Sequence, residues 1–153
     1  HRSMLALGRT AFVMQKIESG LPAFVGNVWE RLCQTAVSGN QLFNHTWNMA
    51  RRWWGKVPVY EEGRKTPIGF EELEFDVVAE SADDKDTILV GECKWKSADY
   101  ADRLLMKLKT KTQKAPFAQG KNIIYVLFLK EPPLSEADCH ILFPNEILKY
   151  QPE

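Results

Sequence analysis

Glu72-Leu73-Glu74-Phe75-Asp76-Val77-Val78-Ala79-Glu80 and Thr87-Ile88-Leu89-Val90-Gly91-Glu92-Cys93-Lys94-Trp95 are two strand-length runs joined by the polar link Ser81-Ala82-Asp83-Asp84-Lys85-Asp86. Both runs are rich in apolar and β-branched residues, and the link is short. Together they read as an antiparallel hairpin. Side chains alternate across a strand with period two. Glu74 and Asp76 therefore share one face of the first run, and Phe75 and Val77 take the other. In the second run Glu92 and Lys94 share a face, opposite Cys93 and Trp95. If Phe75, Val77, Cys93 and Trp95 form the buried side, then Asp76, Glu92 and Lys94 converge on the other.

The flanking sequence supplies helices and further strands. Residues 5–19 read as a first helix, ending at Gly20. Leu21-Pro22 opens a second, because proline suits a first helical turn. Val25, Val28, Trp29, Leu32 and Ala36 then recur at helical spacing as a core-facing stripe. Ser38-Gly39-Asn40 ends that helix. Residues 41–60 hold Phe43, Trp47, Trp53, Trp54 and Tyr60 and read as a strand or two with turns; residues 61–67 are a polar loop. After the hairpin, Asp99 is positioned to cap a helix running to Lys114, which Pro116 stops. Ile123 to Leu129 is a continuous apolar run, the pattern of a strand covered on both faces. Beyond Pro132-Pro133, Cys139 to Phe143 reads as a last strand and Asn145 to Tyr150 as a short helix. The order predicts an α/β domain with a mixed central sheet flanked by helices.

Composition narrows the function. The chain has 153 residues and 17.6 kDa, which suits one domain over residues 1–153. Its 44% apolar and 26% charged residues exclude wholesale disorder. Twenty basic and twenty acidic residues balance, which excludes a uniformly basic DNA-coating protein but not a local basic patch. No apolar run reaches the roughly 18 residues of a membrane span. No secretory leader is visible, and His1-Arg2-Ser3-Met4 reads as a tag scar with the natural start upstream. Cys33, Cys93 and Cys139 are scattered and odd in number, which points to a reducing compartment, the cytoplasm. No CxxC pair occurs, and His1, His45 and His140 are isolated, so a structural zinc site is not expected. The chain contains no GxxxxGK[ST], GxGxxG or GxSxG motif.

Charge is segregated within that balance. Glu61 to Glu92 holds eleven acidic residues and three basic ones, whereas Arg103 to Lys121 holds six basic residues and no acidic one. Two readings stand: a solvated helix beside an acidic hairpin, or an acidic metal centre flanked by a phosphate-binding helix. Asp76 and Glu92 carry the second. Two like charges about 5 Å apart repel by roughly 3 kcal/mol at an effective dielectric near 20. A divalent cation removes that cost, and oxygen ligands with room for water suit Mg²⁺ or Mn²⁺. Lys94 would then steady an attacking water or the charge developing on a phosphate.

The spacing of Asp76, a hairpin, then Glu92-Cys93-Lys94 resembles the core of the PD-(D/E)XK nuclease superfamily. More of the chain takes part in a closer likeness. Gly26-Asn27-Val28-Trp29-Glu30, Arg52-Trp53-Trp54, Glu74 to Ala79 and Gly91 to Trp95 together resemble the domain called DUF234, over about residues 5–130. In that archaeal and bacterial family the domain follows a P-loop ATPase and a winged-helix segment. The resemblance implies a restriction-endonuclease-like αβββαβ core and hydrolysis of phosphodiester bonds in DNA. It implies a catalytic set of Glu30, Asp76, Glu92 and Lys94. It also implies a metal held by Asp76, Glu92 and the backbone carbonyl of Cys93, and an N-terminal ATPase domain of the same polypeptide as partner. Phe75 stands where the signature has proline.

The basic residues supply a nucleic-acid-binding set: Arg52 beside the tryptophans, and Lys107, Lys111 and Lys114 on the basic helix. Glu74 lines the rim of the acidic centre, and Gln113 stands beside Lys114 at the helix end. The rival to a Mg²⁺- or Mn²⁺-dependent nuclease is a catalytically silent module of the same fold that binds DNA or a partner. A third reading is a dimerisation domain built on an apolar patch around Trp47 to Trp54. A homo-oligomer is compatible with each.

Overall fold

The computed structural model describes residues 22–152; the helix expected at 5–19 lies outside them. Helix α1 (Pro22–Val37) starts at the expected proline. It ends just before Gly39, which adopts a φ of +73°, a left-handed conformation that glycine takes without strain. Val25, Trp29, Cys33, Ala36 and Val37 are buried, with Val28 and Leu32 packed at their flanks. The aromatic-rich segment that follows forms three strands. β1 (Gln41–Leu42) and β2 (His45–Thr46) make a miniature hairpin, and β3 (Arg51–Val59) joins the main sheet.

The expected hairpin is β4 (Gly69–Glu80) and β5 (Thr87–Lys94), antiparallel as predicted. Helix α2 (Ala101–Lys114) leads through a short 3-10 turn (Pro116–Ala118) to β6 (Asn122–Leu129). β7 (His140–Leu142) and α3 (Pro144–Lys149) complete the chain. The sheet order is β3-β4-β5-β6-β7, with β4 antiparallel to its neighbours β3 and β5, β6 parallel to β5, and β7 parallel to β6. The result is a mixed α/β fold with a five-stranded mixed sheet flanked by helices. No helix among the described residues is long and apolar enough to cross a membrane.

Both faces of the sheet are covered, which explains the apolar run Ile123 to Leu129 in β6. Val126 and Phe128 enter the core under α1 and α3, whereas Leu127 and Leu129 enter the core under α2. Trp29 ties α1 to this central strand by donating its buried indole N–H to the Phe128 carbonyl at 3.2 Å.

Two expectations need correction. Phe75 and Val77 do not share a buried side. Arg51 pairs with Val78 but Trp53 with Phe75, so Asp76 and Val77 together oppose the single residue Arg52. That is a β-bulge, which breaks the period-two alternation. Leu73 and Phe75 pack under α2, while Val77 and Ala79 pack under α1 with Cys93 and Trp95. The second correction concerns Asp99. The N-cap of α2 is Tyr100, with no side-chain cap. The Asp99 carboxylate accepts from the Tyr100 N–H and pairs with Lys96, while Ser135 Oγ accepts the Asp102 N–H in the first turn. A distant residue satisfies a helix-end donor that sequence reading assigned to a local cap.

Candidate functional site

The site lies where β4 and β5 part. Their pairing runs from Glu80↔Ile88 to Val77↔Gly91 and stops there. At the next step the Asp76 side chain takes over: its Oδ2 accepts the Cys93 backbone N–H at 2.8 Å. The N–H and C=O of one strand residue point to the same side, so the Cys93 carbonyl also faces this gap. The bulge at Asp76-Val77 aims the Asp76 carboxylate into the opening, the kind of redirection that bulges provide. From α1, Gln34 holds the Asp76 main chain, donating from Nε2 to its carbonyl at 2.9 Å. Glu30, one turn earlier on the same helix face, reaches the Asp76 carboxyl itself.

Glu92 enters from β5 with its side chain only 17% exposed, and two ammonium groups meet it. Lys94 Nζ lies 3.7 Å from Oε1, and Lys111 Nζ lies 3.2 Å from Oε2. Lys111 comes from α2. It also donates to the Glu74 backbone carbonyl at 2.6 Å and sits 4.9 Å from the centre of the Phe75 ring. Asp76, Glu92 and Lys94 thus lie around one gap, with Glu30, which the resemblance adds to the set, beside Asp76 and Lys111 beside Glu92.

The electrostatics match this crowding. The Asp76 carboxyl is pushed up to about 6, chiefly by burial and also by Glu30, against the opposing pull of the Cys93 N–H and Lys111. Burial likewise raises Glu92, the Asp76 charge adds to that, and Lys111 and Lys94 oppose it. Partly buried carboxylates that raise one another's pKa are a frequent mark of functional sites. The Cys93 thiol points to the other face, against Cys33, and burial holds its pKa well above the ordinary value. Its sulfur is therefore not a natural ligand for a hard cation, whereas its carbonyl oxygen is.

Among the described residues, no three or more His, Cys, Asp and Glu side chains form a ready-made metal-binding group. Mg²⁺ does not require one, since it is commonly held by one or two carboxylates and keeps several waters. Two carboxylates destabilised by burial beside a main-chain oxygen therefore fit such an ion in donor chemistry.

The remaining predicted residues lie around this centre rather than in it. Glu74 turns outward to pair with Arg52 at 2.9 Å, both more than half exposed. Lys114 pairs with Glu71 at 2.9 Å. Lys107 and Gln113 are exposed on α2. Trp53 is half-buried against Phe75 and Phe117, whereas Trp54 is exposed. Sequence reading missed Gln34 and took Lys111 for an outer phosphate contact. A faint signal existed for each. Gln34 follows Glu30 by four residues, and Lys111 borders the buried stripe Leu104, Leu105, Leu108 and Thr112. From such a border a lysine stem can run along apolar surface to a polar site.

No curated protein matches the chain, and no solved structure does. One family model matches, over residues 1–114: DUF234, described as archaea bacterial proteins of unknown function. The matched stretch includes Glu30, Asp76, Glu92, Lys94 and Lys111 and stops at the end of α2. With about three quarters of its length matched, the chain belongs to the DUF234 family.

Proposed function

We propose that this domain is a Mg²⁺- or Mn²⁺-dependent DNA endonuclease on a restriction-endonuclease-like core, working beside a P-loop ATPase of the same polypeptide in the prokaryotic cytoplasm. The observation that carries the reading is the parting of β4 and β5 at Val77↔Gly91, where Asp76, Glu92 and Lys94 meet. The order α1, β3 to β5, α2, β6 supports an αβββαβ core.

Asp76, Glu92 and the Cys93 carbonyl would hold the cation, with Glu30 behind Asp76. When bound, such an ion polarises a phosphoryl oxygen and lowers the pKa of water. The chain's own groups supply the rest. Gln34 fixes the Asp76 main chain at the bulge in β4, which holds its carboxylate in place. Lys94, beside Glu92, presents a donor to the attacking water and to the charge that grows on the phosphate. Lys107 contributes attraction for the phosphate backbone at the periphery, and Arg52 and Lys114, each paired with a carboxylate, contribute less.

Nicking of supercoiled plasmid with Mn²⁺, Mg²⁺ or EDTA tests this reading. Cleavage should require a divalent metal and fall at least about a hundredfold in Asp76→Ala, Glu92→Ala and Lys94→Ala, with folding retained. Full cleavage by all three variants would sink it. That no three-ligand group is ready-made among the described residues favours a second reading, a silent DNA- or partner-binding module of the same fold. That reading expects salt-dependent DNA binding with no cleavage under any metal. The Trp47–Trp54 patch of the dimerisation reading is not continuous, because Trp47 is buried and Trp53 half-buried.

A further inference from the structure

Lys111 differs from its neighbours on α2. Lys107, Lys109 and Lys114 are exposed, whereas the Lys111 side chain is 27% exposed and reaches from α2 into the gap between β4 and β5. It has three partners there. Two are uncharged, the Glu74 carbonyl and the Phe75 ring, and one is charged, Glu92 Oε2. The uncharged pair belongs to β4 and the charged one to β5, so the ammonium bridges the strands where their own hydrogen bonds have ended.

We propose that Lys111 is the resident counter-ion of the Asp76/Glu92 pair, bound to Glu92 while no divalent cation is present and displaced from it when one binds. This rests on the reading of Asp76 and Glu92 as cation ligands. The formal charges motivate it. Glu30, Asp76 and Glu92 carry three negative charges, and Lys94 and Lys111 carry two positive ones, so the centre holds one net negative charge. A divalent ion would make that sum positive, and an ammonium on the same carboxylate would repel it. Lys94 cannot supply the exchange as readily, because Glu92 is the one ion-pair partner of its ammonium among the described residues and no carbonyl or ring holds it as Glu74 O and Phe75 hold Lys111. Lys111 can leave Glu92 and stay on Glu74 O and Phe75. From that perch its freed charge faces the gap in which a phosphate would sit. Lys111 is thus a positioning residue: it keeps the carboxylates together before the cation arrives and yields one oxygen to it.

Two measurements on metal-free protein test the proposal: Mn²⁺ affinity by titration calorimetry, and the melting temperature in EDTA. Lys111→Met should melt lower in EDTA but bind Mn²⁺ about tenfold more tightly, because the competing charge is gone. Added Mn²⁺ should then raise its melting temperature more than it raises that of the wild type. Lys111→Arg should match the wild type in both measurements. If Lys111→Met does not fold, Lys111→Gln, which keeps a donor for Glu74 O, is expected to give the same tightening. Equal or weaker Mn²⁺ binding by the folded variant, with the wild type binding normally, overturns the counter-ion role alone. No Mn²⁺ binding by either protein overturns it together with the cation reading.

Discussion

Asp76 uses one carboxylate oxygen to replace a strand-to-strand hydrogen bond, and burial there raises its pKa to about 6, against an ordinary 3.8. The folded chain therefore holds the Asp76 proton at pH values where the unfolded chain has released it. The stability this contributes is complete below about pH 3.8 and is lost as pH rises through 6. Glu92, also raised, acts in the same direction. Asp84, Asp99 and Asp102 are shifted the other way, chiefly by hydrogen bonds, so their contribution holds above their ordinary value and is lost only as pH falls below it. Between pH 7.5 and 5 the raised pair dominates. The metal-free protein in EDTA should melt higher at pH 5 than at pH 7.5. Asp76→Asn keeps an acceptor for the Cys93 N–H and removes the charge. It should flatten that trend and stabilise the pH 7.5 state by roughly 1–3 kcal/mol, read from thermal melts. A variant with the wild-type pH slope would contradict this assignment. Glu92 and Lys94 were legible from period-two spacing on one strand, and Asp76 from its place on the paired strand, although the bulge rather than the alternation aims its carboxylate. Lys111 was legible only as a charge: nothing in its spacing says that an α2 side chain crosses to β5.

The hairpin β4–β5 is held by more than its ladder. Gly91 lies opposite Val77 and beneath Phe128, and a Cβ added there would come within 2.5 Å of the Phe128 ring and 3.3 Å of Val77 Cβ. Phe128 is fully buried and cannot step aside. Gly91→Ala should therefore destabilise the protein by roughly 1–3 kcal/mol, measured by urea unfolding. A neutral substitution would mean that the β5–β6 core repacks more freely than this contact allows. The same hairpin marks how far strand patterns can be read. Type, order and antiparallel pairing follow from composition and the short polar link. The bulge does not, because its cause is non-local: Phe75 is drawn under α2 against Trp53 and Phe117, while Val77 is drawn under α1. The Asp99 cap failed for a related reason, since Ser135, 33 residues beyond Asp102, meets the helix end.

Folding also changes the charge available to a partner. Lys114, Arg52 and Lys121 each pair with a carboxylate, Glu71, Glu74 and Asp86 respectively, so much of the basic segment is neutralised by the acidic hairpin. Arg103, Lys107 and Lys109 form no carboxylate ion pair among the described residues; Arg103 and Lys109 lie instead over Tyr100 and Tyr125. If DNA is the partner, its affinity should fall with salt at a log–log slope of about −3, one contact per free cation. Lys107→Glu should make that slope shallower by about 1, and Lys114→Ala should change it less; fluorescence anisotropy across a salt series reads both. Equal effects of the two variants would mean that the Lys114–Glu71 pair opens on binding. Periodicity, turn residues and charge order are local properties. They were enough to indicate an α/β chain, its hairpin, a strand covered on both faces and three residues of its candidate site. The bulge that aims Asp76, the ammonium that meets Glu92 and the pairing of the basic helix with the acidic hairpin join residues far apart in the chain. Packing on both faces of the sheet decided those, because burial sets which side chains must meet and no local spacing encodes that.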